Sequence, residues 1–238
     1  MLAELREAVD RHPRELRRRG RALKHDLDDE ALIRFLVMAY WSMDVGGTTL
    51  ADVIEQTLVW RETYKSTDIH PREVIEEASY GKIYVRGKDL EGRPIIYFRP
   101  GREKSFDIEK GLRLLIYTVE RAIAMMPRGH GQFAVLVDCT GFHISQTPPV
   151  AYIKSVFRTL QQHYPMRLGY VRIVKAGAPM NVFWKLVSPV LHDRTKRKIS
   201  FVPDKQLVQE LAGAIHPSQL EVALGGTDPF VYSNEEYF

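Results

Sequence analysis

Asp138, Cys139 and His143 come nearest to a nucleophilic centre, because they place an acid, a thiol and an imidazole in one short stretch. A second acid and a loop able to hold an oxyanion are both missing there, and a lone cysteine at a strand end is usually a small buried hydrophobe. None of the eight histidines lies in an HExxH motif, and no GxGxxG or GxxxxGKS/T phrase occurs. We therefore expect no catalytic centre, no metal and no nucleotide loop.

A second group of reactive side chains follows a predicted helix over residues 180–191. Its members are Arg194, Thr195, Lys196, Arg197 and Lys198. On that helix only Asn181, Lys185 and Ser188 are polar, and their spacing forms one narrow stripe. A largely apolar helix followed by a cationic hinge suits contact with a membrane or closure over a lipid. A buried core helix with a solvated charge run is the equal alternative.

The overall composition is that of an ordinary folded protein, with 45% hydrophobic and 27% charged residues among 238. No uninterrupted apolar run reaches the ~18–20 residues of a membrane span. The N-terminus lacks the layout of a secretory signal, and the single cysteine fits a reducing compartment. These features predict a cytoplasmic protein.

The net charge of +4 is concentrated in residues 11–24, where seven basic residues oppose Glu15 alone and the local charge is +6. Such a segment can bind nucleic acid or anionic lipid, or simply keep a helix soluble, which is the interpretation we favour. No aromatic residue is interleaved to stack on bases, so we expect no nucleic-acid partner.

The elements that must position these side chains change character near residue 80. The earlier residues predict helices, including one charged peripheral helix over 1–24. Strands then alternate with helices, at 83–85, 95–98, 133–137, 171–174 and 199–202. This alternation predicts an α/β domain over residues 79–238 behind a helical N-terminal subdomain over residues 1–78. The apolar run 133–137 predicts a central strand covered on both faces.

Several short phrases follow each other along about 200 residues: DDEALIRFL (28–36), VWRETY (59–64), EGRPIIYF (91–98), VLVDCTGF (135–142), HYPMRLG (163–169), AGAPMNVFWKLVSPVL (176–191), TKRKI (195–199) and HPSQLEVALGGTDPF (216–230). In this order they resemble the CRAL-TRIO lipid-binding family, which includes phosphatidylinositol-transfer proteins. The resemblance implies a mixed, mostly parallel five-strand sheet that floors a lipid cavity, closed by a gate helix. It places on that helix Met180, Phe183, Trp184, Val187 and Leu191.

The resemblance also implies a headgroup site. In phosphatidylinositol-binding members, residues at the positions of Thr195 and Lys198 hold the inositol phosphate, and Arg167 matches a neighbouring arginine. In tocopherol carriers, basic residues resembling Arg194 and Lys198 contact a phosphoinositide in the membrane instead. Two departures are Met166, where an acid is usual, and the apolar residues 37–41, where basic residues are usual.

Tyr97, His143 and Ser145 lie where family members line the cavity near a phosphocholine headgroup. The alternatives are that Tyr97 faces the core and that His143 caps a turn. A few members hold haem through Tyr or His in the cavity, so haem is a further possibility at Tyr97 and His143, although we expect no cofactor besides the lipid.

The function predicted is non-enzymatic binding and transfer of a phospholipid, phosphatidylinositol or phosphatidylcholine, by a monomer that associates peripherally with anionic membranes. One alternative is a membrane-docking or scaffold module without transfer. Another is a carrier of a neutral hydrophobic molecule such as a sterol, tocopherol or retinoid, which Met166 and the apolar residues 37–41 favour.

Overall fold

The computed structural model describes residues 1–23, 25, 27–104, 107–127 and 129–238. Lys24, the last cation of the basic segment, lies outside the described residues. The chain divides into two compact units, one formed by Met1–Ile69 with Arg158–Met166 and the other by His70–Phe157 with Arg167–Phe238. The domain boundary between residues 78 and 79 stays a prediction.

The first unit is mainly helical. Its elements are α1 (Leu2–Asp10), α2 (Leu16–Ala22), α3 (Asp29–Met38), the short strands β1 (Asp44–Val45) and β2 (Thr48–Thr49), and α4 (Leu50–Tyr64). Asp28 caps α3, because its carboxylate accepts a 2.8 Å hydrogen bond from the Ala31 backbone N–H.

The single peripheral helix predicted over residues 1–24 is wrong. The chain forms α1 and α2 with a break at His12-Pro13, where proline has no N–H to continue a helix. Leu5, Val9 and Leu16 are at most 1% exposed and belong to the core that α3 and α4 share. Both helices are therefore part of the core of this unit.

The arginines of the basic segment are largely paired within the same unit. Carboxylates within ion-pair distance are Glu7 for Arg11, Glu55 for Arg14, Asp10 for Arg17, Glu15 for Arg18 and Glu62 for Arg19. Exposed pairs of this kind add little stability, but they offset the local positive charge. The segment therefore offers an anionic surface much less charge than its sequence indicates.

A buried histidine lies in an aromatic stack in this unit. The rings of His163 and Trp60 are 4.2 Å apart and nearly parallel, and Tyr64 also stacks on Trp60 at 5.1 Å. His163 is only 7% exposed. Burial and the nearby Arg61 charge lower the pKa of His163 from 6.5 to about 4, because both disfavour the imidazolium.

This depressed pKa predicts acid destabilisation. Between about pH 6.5 and pH 4 the unfolded chain binds a proton at His163 that the folded chain does not, so stability is complete above pH 6.5 and declines as the pH falls. At about 1.4 kcal/mol per pKa unit, the loss reaches roughly 3 kcal/mol. Urea unfolding of the protein and of His163→Phe, which keeps a ring on Trp60, measures it. An equally steep decline in the variant would contradict the assignment.

The second unit contains the large sheet. Its strands are β3 (Ile83–Lys88), β4 (Pro94–Phe98), β5 (Phe133–Asp138), β6 (Leu168–Val174) and β7 (Ile199–Phe201). The remaining helices in chain order are α5 (Pro71–Ala78), α6 (Ile108–Ala124), α7 (Val150–His163, whose last turns belong to the first unit), α8 (Ala178–Val187), α9 (Asp193–Lys196), α10 (Leu207–Ala212) and α11 (Asn234–Tyr237).

The five strands pair in chain order, with β3 antiparallel to β4 and every later pair parallel. Parallel neighbours require crossovers, which α6, α7 and α8 provide. The predicted α/β fold with a mostly parallel five-strand sheet is confirmed, and β5 is its central strand as the apolar run at 133–137 indicates.

Alternate residues of each strand face two different layers. On one face, which we call the C-terminal face, Tyr84, Ile95, Ala134 and Leu136 share a core with residues that follow β7, such as Leu220 and Phe230. On the other, the α8 face, Phe98, Val135, Ile173 and Phe201 share a core with Met180 and Phe183 of α8. Among the described residues, we find no helix with the length and apolarity needed to cross a membrane.

Candidate functional site

The two faces of the sheet differ in how completely they are covered. Ile95, Ala134 and Leu136 on the C-terminal face are 0% exposed. Val135, between Ala134 and Leu136 on the central strand, keeps partial exposure on the α8 face, as do Phe98 and Leu168 on the neighbouring strands. None of these strands is at the sheet edge. The partial exposure of these apolar side chains on inner strands points to an apolar space above the α8 face, which we call the sheet hollow.

Helix α8 covers part of the sheet hollow with its apolar stripe. Met180 and Val187 are 3% exposed, while Phe183 and Trp184 are half-buried. These positions recur at intervals of three and four residues and share one side of the helix. Phe183 meets Phe142 edge-on at 6.0 Å, and Trp184 meets Phe201 at 5.6 Å. The contacts of α8 are therefore mainly aromatic.

The outer side of α8 is not wholly polar. Asn181 and Lys185 are exposed as the polar stripe predicts, but Val182 is 57% and Leu186 is 43% exposed as well. Two apolar side chains on the solvent side of a helix that covers an apolar hollow suit contact with acyl chains.

The helix predicted over residues 180–191 ends earlier than its pattern indicates. The α-helical turns stop at Val187, residues Ser188–Val190 form a 3₁₀ turn with Pro189, and Leu191 has extended backbone. Proline removes an intrahelical donor, which explains the change of geometry there. The prediction that Leu191 lies on this helix is therefore wrong. Leu191 is nevertheless buried in one cluster with Ile153 and Val187.

Cations gather where the parallel strands begin. Lys198 immediately precedes β7, and its ammonium donates to the Leu168 carbonyl at the start of β6. Burial lowers the pKa of Lys198, and the charges of Arg194 and Arg93 lower it further, so these two arginines lie close enough to repel it. We call Arg93, Arg194 and Lys198 the cationic edge, which is a suitable environment for a phosphate.

Arg93 is a residue that the sequence interpretation missed. It immediately precedes β4, and its side chain passes so close to Gly169 that an added Cβ there would be 3.0 Å from the Arg93 Cδ. Asp89 and Glu91 both pair with its guanidinium. The signal that could have revealed it is positional, since Arg93 and Lys198 each occupy the position before a strand at the same edge of the sheet.

The other predicted headgroup residues lie beside this edge. Arg167 also immediately precedes a strand, but its guanidinium donates to the Gly131 carbonyl at 3.1 Å. Thr195 is half-buried in α9, the short helix that also carries Arg194. Met166, at the position where an acid is usual, has a φ of 59°. Arg167 and Lys198 therefore precede two neighbouring strands, although the Arg167 guanidinium is already bound to a backbone carbonyl.

Tyr97, which we predicted to line the cavity, lies on the sheet face opposite to α8. Tyr97 is 0% exposed on the C-terminal face, where its ring stacks on Tyr84 at 5.3 Å. Its neighbour Phe98 takes the α8 face because successive strand residues alternate. The alternative interpretation, a strand residue that faces the core, is the correct one, and Tyr97 cannot reach a ligand in the sheet hollow.

His143 and Ser145, also predicted to line the cavity, are both exposed in this structure. His143 is the N-cap of the 3₁₀ turn Ile144–Gln146, and its backbone N–H donates to the Gln146 side chain at 2.9 Å. The loop does approach α8, but through Phe142, which is buried beside Phe183. The capping alternative explains His143.

The nucleophile-like residues have structural roles. Asp138 is buried, lies 3.4 Å from the Arg99 Nε and accepts bonds from the Thr140 N–H and hydroxyl. Burial and the Asp138 charge raise the pKa of the Cys139 thiol to about 12, so it stays protonated. Together with the exposed position of His143, these properties do not support a cysteine nucleophile.

One cluster in the first unit has ligand types that metals accept. His12, Asp52 and Glu55 place one ring nitrogen and two carboxylate oxygens within 4.8 Å of each other. However, His12 Nε2 is 3.3 Å from Asp52, and Arg14 pairs with Glu55 at 2.7 Å. Because these groups satisfy each other, the cluster is explained without a metal.

The fold and the site define an α/β protein with an apolar hollow on one sheet face, a covering helix and a cationic edge. The chain matches the model of the CRAL/TRIO domain over residues 78–226, and it belongs to this family. The resemblance inferred from the sequence is therefore confirmed.

Two curated relatives and one solved structure illustrate the similarity. A CRAL-TRIO domain-containing protein of Schizosaccharomyces pombe is 30% identical over 212 residues, which cover 89% of this chain and 20% of that protein. Phosphatidylinositol transfer protein PDR17 of Saccharomyces cerevisiae is 27% identical over 224 residues, which cover 89% of this chain and 61% of that protein. The chain thus spans about a fifth and about three fifths of their lengths.

The crystal structure of Sfh5 matches with a TM-score of 0.72 at 15% identity, over 88% of this chain and 82% of that chain. At this identity the match supports the fold alone.

Proposed function

We propose that the protein is a non-enzymatic lipid carrier that takes one lipid from a membrane into the sheet hollow and delivers it to another. The observation that carries this proposal is the partial exposure of Phe98, Val135 and Leu168 on inner strands beneath an apolar helix. Membership of the CRAL/TRIO family and a relative named as a phosphatidylinositol transfer protein support lipid binding as the general class of function.

Helix α8 is the element proposed to move. Lifting it exposes Met180, Phe183, Trp184 and Val187, and each Å² of apolar surface given to water costs about 25 cal/mol. A bilayer removes this cost because acyl chains cover the same surface. The 3₁₀ turn at Ser188–Val190 is the proposed hinge, since it already interrupts the helical hydrogen bonding.

The cargo we favour is a phospholipid, phosphatidylinositol or phosphatidylcholine. Its acyl chains would occupy the sheet hollow, and its phosphate would approach Lys198 and Arg194, with the Thr195 hydroxyl as a further donor. A phosphate there would offset the charges of Lys198 and Arg194; burial is the largest cause of the lowered pKa of Lys198, and the charge of Arg194 adds to it. The protein would act from the cytoplasm as a monomer bound only peripherally to membranes.

Native mass spectrometry of the purified protein, followed by extraction and identification of the lipid, tests the proposal. We expect one phospholipid per chain, and transfer of that lipid between donor and acceptor liposomes. A protein that carries no lipid and moves none would overturn it.

The lysine of the cationic edge gives a sharper prediction. Lys198→Met should lower the rate of phosphatidylinositol transfer about fivefold, or about 1 kcal/mol, because the phosphate loses a charge-assisted partner. Lys196→Met is the matched control, since Lys196 is paired with Asp193 at 3.1 Å. Lys198→Arg should retain most transfer while still reaching the Leu168 carbonyl. Equal transfer by the Met variant and the protein would contradict the headgroup role.

A carrier of a neutral hydrophobic molecule is the second candidate. Met166 at the headgroup position and the bond from Lys198 to the Leu168 carbonyl favour it, because both reduce the polar contacts left for a phosphate. The extraction above separates the two, since a sterol, tocopherol or retinoid in place of phospholipid would select this candidate. The ion pairing of the N-terminal arginines speaks against a docking module without transfer.

A further inference from the structure

A cavity of about 400 Å³ lies beside β3, the edge strand of the sheet. It is enclosed by β3, the end of α6, the 3₁₀ turn Pro217–Gln219 and α11. Cavities of roughly 300–1,000 Å³ are typical of small-molecule sites. Its walls combine cations, polar groups and aromatic side chains, among them Arg86, Lys88, Arg121, Gln219, Phe230 and Tyr237.

The apolar and aromatic wall is firmly held. The Tyr237 hydroxyl accepts a 3.1 Å bond from the Val85 backbone N–H of the edge strand, and Tyr237 is 5% exposed. Arg86 is fixed by two bonds to Asp228, at 2.8 and 3.0 Å, and lies 4.2 Å over the Phe230 ring. Arg86 is therefore neutralised, and this side of the cavity is preformed.

Two other cations of the cavity lack such compensation. Arg121 lies 4.2 Å over the Tyr237 ring and donates to the Tyr117 hydroxyl. In the part of the chain that the structure describes, neither Arg121 nor Lys88 has a carboxylate within ion-pair distance. Glu236 also lines the cavity, but it forms no such pair with either of them.

Hydrogen-bond donors add to this positive character. The Gln219 side-chain oxygen accepts from the Lys88 backbone N–H at 3.2 Å, which leaves its amino group as a donor. Gly87, with a φ of 66°, allows the strand to approach the Gln219 backbone so closely that a Cβ would be 2.4 Å from the carbonyl oxygen. The irregular pairing between Val85 and Lys88 accompanies this approach.

We propose that this cavity is a second binding site, which takes a phosphate monoester with a small apolar or aromatic body. Lys88 and Arg121 bind the phosphate, one as a point charge and the other as a planar donor. The body lies against Phe230 and Tyr237. The phosphate monoester can belong to a soluble molecule or to a phosphorylated lipid headgroup, and the experiment distinguishes these sources.

Phenyl phosphate is the probe for the soluble source, measured by calorimetry and ³¹P NMR beside inorganic phosphate and phenol. We expect saturable binding of phenyl phosphate, stronger than that of either fragment, and a loss of about fivefold in Lys88→Met. Lys205→Met, which changes an exposed lysine of the same unit, should bind as the protein does. Arg121→Lys tests the stacked guanidinium while it keeps the charge, and we expect weaker binding there too.

Liposomes with phosphatidylinositol 4-phosphate, compared with liposomes of phosphatidylinositol, test the lipid source. The site is supported, with a lipid headgroup as the source of the phosphate, if two results are found together. Phenyl phosphate must bind the protein, and Lys88→Met must weaken binding to the phosphorylated liposomes but not to those of phosphatidylinositol. An undiminished affinity of folded Lys88→Met for phenyl phosphate, or no saturable binding of either probe, would overturn the proposal. Neither result depends on lipid in the sheet hollow.

Discussion

Val135→Trp is expected to reduce the fraction of protein that carries lipid about tenfold, which corresponds to about 1.4 kcal/mol. Val135 lies on the central strand and keeps partial exposure within the sheet hollow. An indole there occupies space that we assign to the acyl chains, although Val135 also packs against the core of the α8 face. Native mass spectrometry of the purified variant measures the loaded fraction.

Two comparisons make this result specific. Val135→Ala enlarges the hollow and should keep lipid loading, while circular dichroism checks that Val135→Trp retains its fold. Its neighbour Ala134 is 0% exposed on the C-terminal face, so Ala134→Trp should unfold the protein through overpacking. A loaded Val135→Trp protein would place the lipid elsewhere.

Arg99→Met is expected to lower the free energy of unfolding by about 3–5 kcal/mol, the usual cost of removing one partner from a buried ion pair. Arg99 is 6% exposed and pairs with Glu221 and Asp138, which are 2% and 4% exposed. Methionine fills a similar volume but leaves both carboxylates without their cation. Urea unfolding followed by fluorescence measures the loss.

The matched control removes one hydrogen bond of the same network and no charge. The Tyr84 hydroxyl donates to the Glu221 carboxylate at 2.5 Å, so Tyr84→Phe should cost about 1.5–3 kcal/mol, the usual range for a hydrogen bond to a charged group. If Arg99→Met were no more destabilising than Tyr84→Phe, the pairing of Arg99 would not be a main support of the C-terminal face.

The fold was largely predictable because its strands are short apolar runs separated by helical periodicity. The break between α1 and α2 was visible only as Pro13, and the polar run around it concealed the buried Leu5, Val9 and Leu16. The end of α8 was concealed in the same way, since residues 188–191 continue the apolar pattern although Pro189 ends the helix. Hydrophobicity alone does not separate a helix from the turn that follows it.

The site was less predictable because β4 and β5 carry apolar residues on both faces. Where every residue of a strand is apolar, the period of two disappears from the sequence, so the face occupied by Tyr97 could not be assigned. Arg93 was missed for another reason. Arg93 precedes β4 and Lys198 precedes β7, which are separated by two strands in the sheet and by about 100 residues in the sequence, so no local pattern reports such a neighbour.

The alternation of faces also bears on how such a protein can change over time. In β5, Ala134 and Leu136 are buried in the core of the C-terminal face, while Val135 between them faces the sheet hollow. A substitution at Val135, Phe98 or Leu168 can therefore reshape what the hollow accepts without disturbing the residues that hold the sheet together. Cargo selectivity and fold stability therefore depend on alternate residues of the same strands. A mutant library restricted to the residues that face the sheet hollow could select for new cargo while most variants still fold.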